Sequence, residues 1–309
     1  MPSDFLAELA RFGPHANYPV LSPRRAKAYC SDLAKSHYEN FSVATVLLPR
    51  RLVPHFYTLY AYCRWADDLG DETGGGQRAL DLLAWWRGEL MRVYNGSPRH
   101  PVMIALAPTI ERFRIPPTPF LDLILAFEQD QRIKRYDTFD QVVEYCCFSA
   151  NPVGRLVLYL CECFNEENAK LSDAICTGLQ LANFWQDVAR DLDIGRVYLP
   201  GEDRQRFAYS DADLEARRFT PAFESLMRFE VDRARHLFVD GLPLVERVPE
   251  DVRADIELFA QGGLSILRKI EEIGYNVWQT RPVLKKWEKV ALLGRVLGRN
   301  WLRQLNPVG

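Results

Sequence analysis

Strand signals are nearly absent from this chain of 309 residues. It has no alternating runs of β-branched residues, and its Asn95-Gly96 pair reads as a helix-ending turn rather than a hairpin. Sandwiches, barrels and parallel α/β sheets are therefore excluded. No Gly-x-Gly-x-x-Gly follows a strand, so the usual dinucleotide fingerprint is missing and no nicotinamide cofactor is expected. No apolar run approaches the ~18 residues of a membrane-spanning helix. No linker rich in Gly, Ser or Pro divides the chain, and nothing repeats at a fixed period. An excess of either charge is also lacking: 39 Lys and Arg against 41 Asp and Glu leave a net charge of -2. That removes the electrostatic case for a nucleic-acid partner. Met1-Pro2-Ser3-Asp4 lacks the basic-then-apolar layout of a secretory signal. The seven cysteines (Cys30, Cys63, Cys146, Cys147, Cys161, Cys163 and Cys176) are odd in number and form no Cys-x-x-Cys pair. Buried thiols in a reducing compartment are expected, not disulfides or zinc. These absences together point to a cytoplasmic protein.

What is present is helical periodicity and ample core material, 48% hydrophobic against 26% charged. Pro14, Pro19 and Pro23 make residues 1–23 an expected irregular arm. Helices are expected over 24–34, 52–71, 77–94, 102–113 and 120–133. A long one over 139–162 should break at Asn151-Pro152-Val153-Gly154, where proline removes a backbone bond. Others follow over 171–193, from a Ser210 cap to 217, and over 221–238, 249–275 and 282–305. Gly262-Gly263 marks a place for close helix packing. The expected fold is a single all-α domain over residues 1–309, a bundle of about ten helices.

Two acidic runs stand out. Gln180, Asn183, Asp187 and Asp191 lie at i, i+3, i+7 and i+11, one polar stripe on a helix. Asp67 and Asp71 repeat the spacing, with Arg64 one turn upstream. Carboxylates a turn apart repel and need protons, water or a cation between them. Solvated surface is the ordinary reading of such pairs. Trp65 and Ala66 beside one run, and Phe184 and Trp185 beside the other, argue against it. The acids at 67 and 71 also end a helix, where negative charge opposes the macrodipole and a bound cation would relieve the conflict. Gly74-Gly75-Gly76 next to them reads as a mobile flap. A hard divalent cation fits, Mg2+ first and Mn2+ as its substitute, because Mg2+ takes one or two carboxylates and completes its shell with water and phosphate oxygens. Arg64, Arg190, Arg196 and Tyr198 could hold a diphosphate's remaining oxygens.

At these residues the chain resembles a known family, the squalene and phytoene synthases that join prenyl diphosphates head to head. The resemblance runs from about Lys35 to Arg299. It rests on Tyr-Ala-Tyr-Cys-Arg-Trp-Ala-Asp-Asp-Leu-Gly-Asp at 60–71, Glu-Tyr-Cys at 144–146 with Val153-Gly154, and Leu-Gln-Leu-Ala-Asn-Phe-Trp-Gln-Asp-Val-Ala-Arg-Asp at 179–191. Gly-Arg-Val-Tyr-Leu-Pro at 195–200 and Tyr275 followed by Arg281-Pro282 match as well. The resemblance implies the α-helical isoprenoid synthase fold. It implies Asp67, Asp71, Asp187 and Asp191 as metal-binding acids, and Arg64, Gln180, Asn183, Arg196, Tyr198 and Tyr275 as holders of the diphosphate and its ions. Tyr145 falls on the active-site tyrosine, a candidate proton carrier.

Two stretches depart from the common family pattern, His37-Tyr38-Glu39-Asn40-Phe41-Ser42-Val43 and Ser149-Ala150-Asn151-Pro152. Both resemble the bacterial hopanoid branch called hydroxysqualene synthase. That resemblance implies conversion of presqualene diphosphate and water to hydroxysqualene and diphosphate. It also implies functional links to a presqualene diphosphate synthase and a hydroxysqualene reductase. Ser149 and Asn151, polar where relatives are apolar or Gly, are expected to help hold the water. The rival reading is a condensing enzyme making presqualene diphosphate, squalene or phytoene. A further rival is a non-catalytic assembly protein, which the intact acids disfavour. Gln129 and Asp130 read as pocket residues over an ordinary polar helix end. In the last helix Trp287, Val290, Val296, Leu297 and Trp301 alternate with Lys285, Lys286, Lys289, Arg295, Arg299 and Arg303. A helix docked in the core with a wet basic face is expected. The alternative is a helix lying on the inner membrane surface.

Overall fold

The structure, a computed structural model, describes residues 5–36 and 47–305. Among the described residues there are fifteen α-helices and no strand, and one isolated bridge pairs Arg135 with Val197. The all-α expectation holds. The chain gathers into two compact units that interleave in sequence: Met1–Arg132 with Arg155–Phe164, and Ile133–Gly154 with Asn165–Gly309. Each change of unit falls inside or beside a helix, so no linker composition marks it.

The first unit holds α1 (Phe5–Phe12), α2 (Pro23–Ser36), α3 (Val53–Asp71), α4 (Gly76–Tyr94), α5 (Pro101–Phe113) and α6 (Thr118–Asp130). Helix α1 corrects the expected irregular arm. Phe5, Leu9 and Phe12 recur at i, i+4 and i+7, one helical stripe, and every proline of the arm except Pro2 lies beyond it. Leu9 and Phe12 are buried, and Phe5 meets Trp65 edge-on at 5.1 Å. Helix α3 is central and packs on α2, α4, α5 and α6. Its Trp65 stacks on Trp86 at 5.4 Å, and both indoles meet the ring of His100 edge-on at 4.4 and 4.8 Å. His100 is fully buried, and burial pushes its pKa well below the usual value. The neutral ring accepts the Val102 N–H through Nδ1 and so caps α5.

The second unit holds α7 (Phe139–Ser149), α9 (Glu166–Asp193), α10 (Gly201–Arg206), α11 (Asp211–Glu215), α12 (Pro221–Gly241), α13 (Leu244–Arg247), α14 (Glu250–Glu272) and α15 (Lys286–Leu305). Helix α8 (Asn151–Leu160) carries the chain from this unit into the first. The expected break is present, since α7 stops at Ser149 and α8 starts at Asn151. Side-chain caps set other starts: Thr138 and Gln141 form a capping box, and Asn165, Ser210 and Thr220 each accept a first-turn N–H. The last helix begins at Lys286, not at Pro282. Helix α9 is the central one, packed on α7, α12, α13 and α14. Its Trp185 is fully buried and donates to the Glu230 carbonyl of α12 at 3.1 Å.

Phe238 of α12 locks α9 to α14. A Cβ at Gly263 would sit 2.3 Å from Phe238 Cζ and 2.9 Å from Leu179 Cδ2, and one at Gly178 would sit 3.2 Å from the same ring. Gly263 is thus the close approach expected at the glycine pair, whereas Gly262 faces open space. Gly263→Val should destabilise the fold by about 1–3 kcal/mol in urea unfolding. Phe238→Leu in the same chain should recover part of that loss. Additive losses in the double variant would show that the two residues do not share this space.

Candidate active site

In the first unit, Arg64, Asp67 and Asp71 follow one another along the exposed side of α3. The neighbouring Trp65, Ala66 and Leu69 are buried and fix the rotation of the helix. Arg64 forks onto the buried Asp68, with Nε donating to Oδ2 at 2.9 Å and Nη2 donating to Oδ1. Its Nη1 lies 3.4 Å from Asp67 Oδ2. Asp68 thus anchors the arginine, Asp67 is half-buried beside it, and Asp71 is exposed. Burial of the Asp67 carboxyl, then the charge of Asp71, pushes its pKa up to about 7, against the pull of Arg64. The Asp130 carboxylate at the end of α6 adds to that push. A cation would relieve this concentration of negative charge. At the end of the triglycine the Gly76 N–H donates to Gln131 Oε1 at 3.1 Å, and Gln131 Nε2 donates to the Gly70 carbonyl at 3.3 Å. Gly74, Gly75 and Gly76 all have φ between 63 and 90°, which side chains other than glycine rarely adopt.

In the second unit, Asp187 and Asp191 lie one turn apart on α9, with Gln180 and Asn183 on the same stripe. Asp187 is taken by Arg281, whose Nη2 donates to Oδ2 at 2.8 Å and whose Nε donates to Oδ1. Gln186 holds the adjacent Pro282 carbonyl through Nε2, which fixes the segment that carries Arg281. Arg190, largely exposed, stands 3.9 Å from Asp187. The Arg196 N–H donates to the Asp191 carbonyl at 2.7 Å. Asp191, Arg196 and Tyr198 line one crevice of about 10 Å³ with Phe184. The rings of Phe184 and Tyr198 stack at 3.6 Å, and Tyr136 and Tyr145 lie within 5.7–6.2 Å of them. Tyr145 is buried among them.

Tyr275 sits apart from that ring cluster in its contacts. It lies under the Arg228 guanidinium at 4.8 Å, with φ of 64° and with Glu271, Asp232 and Arg235 as charged neighbours. Asn151 is buried. It accepts from Thr177 Oγ at 3.0 Å and reaches Cys147 Sγ at 3.8 Å. The Ser149 hydroxyl is buried with no protein partner. A Cβ at Gly154 would lie 2.4 Å from Ser172 Oγ, so this glycine lets α8 approach α9. The variant stretch His37–Val43 lies outside the described residues. All seven thiols are free as expected; Cys30, Cys146 and Cys161 are buried, Cys63, Cys163 and Cys176 are half-buried, and Cys147 is exposed.

Among the described residues no group of three or more His, Cys, Asp or Glu is arranged to hold an ion by itself. The two carboxylate pairs still fit Mg2+, which needs only one or two carboxylates where phosphate and water supply the rest. Sequence reasoning did not assign a site role to Arg281 or Asp68. Arg281 was visible as part of a motif, but its partner lies 94 residues away.

The family model for squalene/phytoene synthase matches residues 34–288. The chain belongs to the squalene/phytoene synthase family. Its members convert prenyl diphosphates, and the all-α fold is the one their solved structures share. A crystal structure of squalene synthase HpnC from Alicyclobacillus acidocaldarius is 44% identical, covers 82% of this chain and 96% of its own, and superposes with a TM-score of 0.80. A dehydrosqualene synthase structure is 26% identical with a TM-score of 0.81, over 91% of this chain and 98% of its own. The 15-cis-phytoene synthase of Synechocystis sp. is 30% identical over 93% of this chain and 89% of its own.

The raised pKa of Asp67 makes a prediction with a definite sign. Its proton is bound more tightly in the folded protein, so ionisation costs stability from about pH 4 upward. That cost is complete once pH passes about 7. In EDTA, Asp67→Asn should therefore unfold at higher temperature than wild type at pH 8, and the gap should close near pH 4. A gap independent of pH would remove this reading of the acidic face.

Proposed function

We propose that this chain converts presqualene diphosphate and water into hydroxysqualene and diphosphate. The observation that carries the reading is the departure at 149–152. A buried Ser149 hydroxyl without a protein partner stands at the helix break, in the same unit as the Tyr145 ring cluster. A buried hydroxyl of this kind gains by binding water or a polar ligand atom. The 44% identity to a squalene synthase supports the squalene side of the family.

In this proposal the pair Asp67 and Asp71, and likewise the pair Asp187 and Asp191, would hold Mg2+ or Mn2+, which binds the diphosphate. A metal held there would screen the diphosphate charge and make it a better leaving group. Arg64, Arg196, Gln180, Asn183, Tyr198 and Tyr275 orient the diphosphate oxygens. Arg281, bonded to Asp187, would join them if a metal took that carboxylate. The carbon–oxygen bond to diphosphate breaks with its electron pair on oxygen. The faces of Tyr136, Tyr145, Phe184 and Tyr198 favour the resulting cation without attacking it. Water, held at Ser149, forms the new carbon–oxygen bond as the cyclopropane opens, and its proton leaves through Tyr145 or a second water. No reductant enters this balance. Upstream stands a presqualene diphosphate synthase and downstream a hydroxysqualene reductase.

A second reading is a condensing enzyme acting on two prenyl diphosphates, favoured by the match to a 15-cis-phytoene synthase. Purified protein with Mg2+ and presqualene diphosphate, without reductant, separates the two by mass spectrometry of the lipid. Hydroxysqualene there, and no product from farnesyl diphosphate, is the expected result. Presqualene diphosphate formed from farnesyl diphosphate would establish the condensing reading instead.

Asp187→Asn should lower turnover by two or more orders of magnitude with the fold retained; near-normal turnover would remove the metal assignment. Ser149→Ala tests the water site and leaves the Asn151–Thr177 bond in place. It should divert product away from the alcohol, and an unchanged alcohol yield would refute the role given to Ser149.

A further inference from the structure

Helix α15 has two apolar faces. One is docked: Leu292 and Val296 are buried, and Glu257 of α14, itself buried, takes Arg299 Nε at 2.7 Å, Arg303 Nη1 at 2.8 Å and Asn300 Nδ2 at 3.3 Å. The other faces solvent. Trp287, Val290, Leu297 and Trp301 are 67%, 68%, 43% and 60% exposed. These four recur at i, i+3, i+10 and i+14, with Gly294 at i+7, one continuous stripe on the side of the helix away from Leu292 and Val296. The expectation of a core-docked stripe is thus corrected: of the five apolar residues read into it, Val296 alone is buried. An apolar band roughly 20 Å long with a tryptophan at each end is not explained by packing within the described chain.

We propose that this stripe docks α15 flat on an anionic lipid surface. The charge beside it favours that partner. Lys286, Lys289 and Arg295 flank the stripe on its two sides and have no carboxylate partner among the described residues. A pocket of about 120 Å³ opens beside Trp287 between α14 and α15, and Arg268, Lys269 and Arg295 line it with Glu272 and Glu288. Lys269 is paired with both glutamates, at 2.7 and 2.5 Å, which leaves Arg268 and Arg295 for an anion. Indoles at headgroup depth, basic groups around them and a phosphate-sized basic pocket form one amphipathic surface. A second copy of the chain on the same stripe would bring these basic flanks against each other. The inference stands on α14 and α15 and holds whichever prenyl reaction the family fold performs here. Among the described residues no helix is long and apolar enough to cross a membrane, so the contact is with the surface.

Co-sedimentation of the full chain with phosphatidylglycerol vesicles and with phosphatidylcholine vesicles tests it. Expected are binding to the anionic vesicles only and release at high salt. Trp287→Ser with Trp301→Ser, and separately Lys286→Gln with Lys289→Gln and Arg295→Gln, should each weaken binding roughly tenfold or more. Turnover of detergent-dispersed substrate should be unchanged in both variants, which separates this outcome from any failure of the proposed reaction. Wild type that stays in the supernatant with anionic vesicles would overturn the proposal. So would a solution dimer that the double tryptophan variant converts to monomer without any vesicle binding.

Discussion

Two carboxylates one turn apart on a helix cannot both ionise at low cost unless something positive stands near them. In each unit of this protein an arginine supplies that charge. Arg64 anchors on the buried Asp68 and leans toward Asp67. Arg281 forks onto Asp187. Asp71 and Asp191 add a second carboxylate to each run. The excess is visible at Asp67, whose carboxyl is held up near neutrality by burial and by Asp71. Carboxylates grouped in this way favour a multivalent cation over a monovalent one, because each added charge acts on several of them together.

Such a face is useful only if its side chains are held in place, and both acid-bearing helices are the central ones of their units. Under α3 lies a layer of tryptophans around a neutral, buried His100. Under α9 lie Trp185 and the ring of Phe238, the latter seated against Gly178 and Gly263. In both places large apolar rings sit within two residues of the acids or on the next turns. Rotating either helix to hide its acids would expose those rings. Loss of their burial, about 1.5–3 kcal/mol for each large side chain, opposes the electrostatic preference to turn the acids toward bulk water.

Local patterns made much of this legible in the sequence. The break at Asn151-Pro152 and the spacing of the two acid runs needed only periodicity and proline chemistry. The cap at Ser210 needed only the short-range rule that a hydroxyl can satisfy a first-turn N–H. What escaped was long-range or two-sided. Arg281 gives no local sign that it reaches Asp187, because nothing in its own neighbourhood repeats at a helical period. The stripe Phe5-Leu9-Phe12 was overlooked because three later prolines coloured the whole arm. The final helix shows the limit most clearly: its apolar residues fall on two opposite faces, and periodicity alone does not say which face meets the core. Glu257 decides it, by drawing Arg299 and Arg303 inward.

The two polar departures at the helix break do different work. Asn151 spends its carboxamide on Thr177 and Cys147, tying the first turn of α8 to α9 and to the end of α7. Its polarity is thereby explained without any ligand. Ser149 has no such explanation, for its hydroxyl is buried and unbonded to protein, a state that costs about 1–3 kcal/mol if nothing else satisfies it. Pro152 cannot donate a backbone N–H into the turn before it, so the break also leaves carbonyl capacity near Ser149. Asn151 therefore fixes the geometry of the break, and of the two polar side chains Ser149 is the one on which the proposed water site rests.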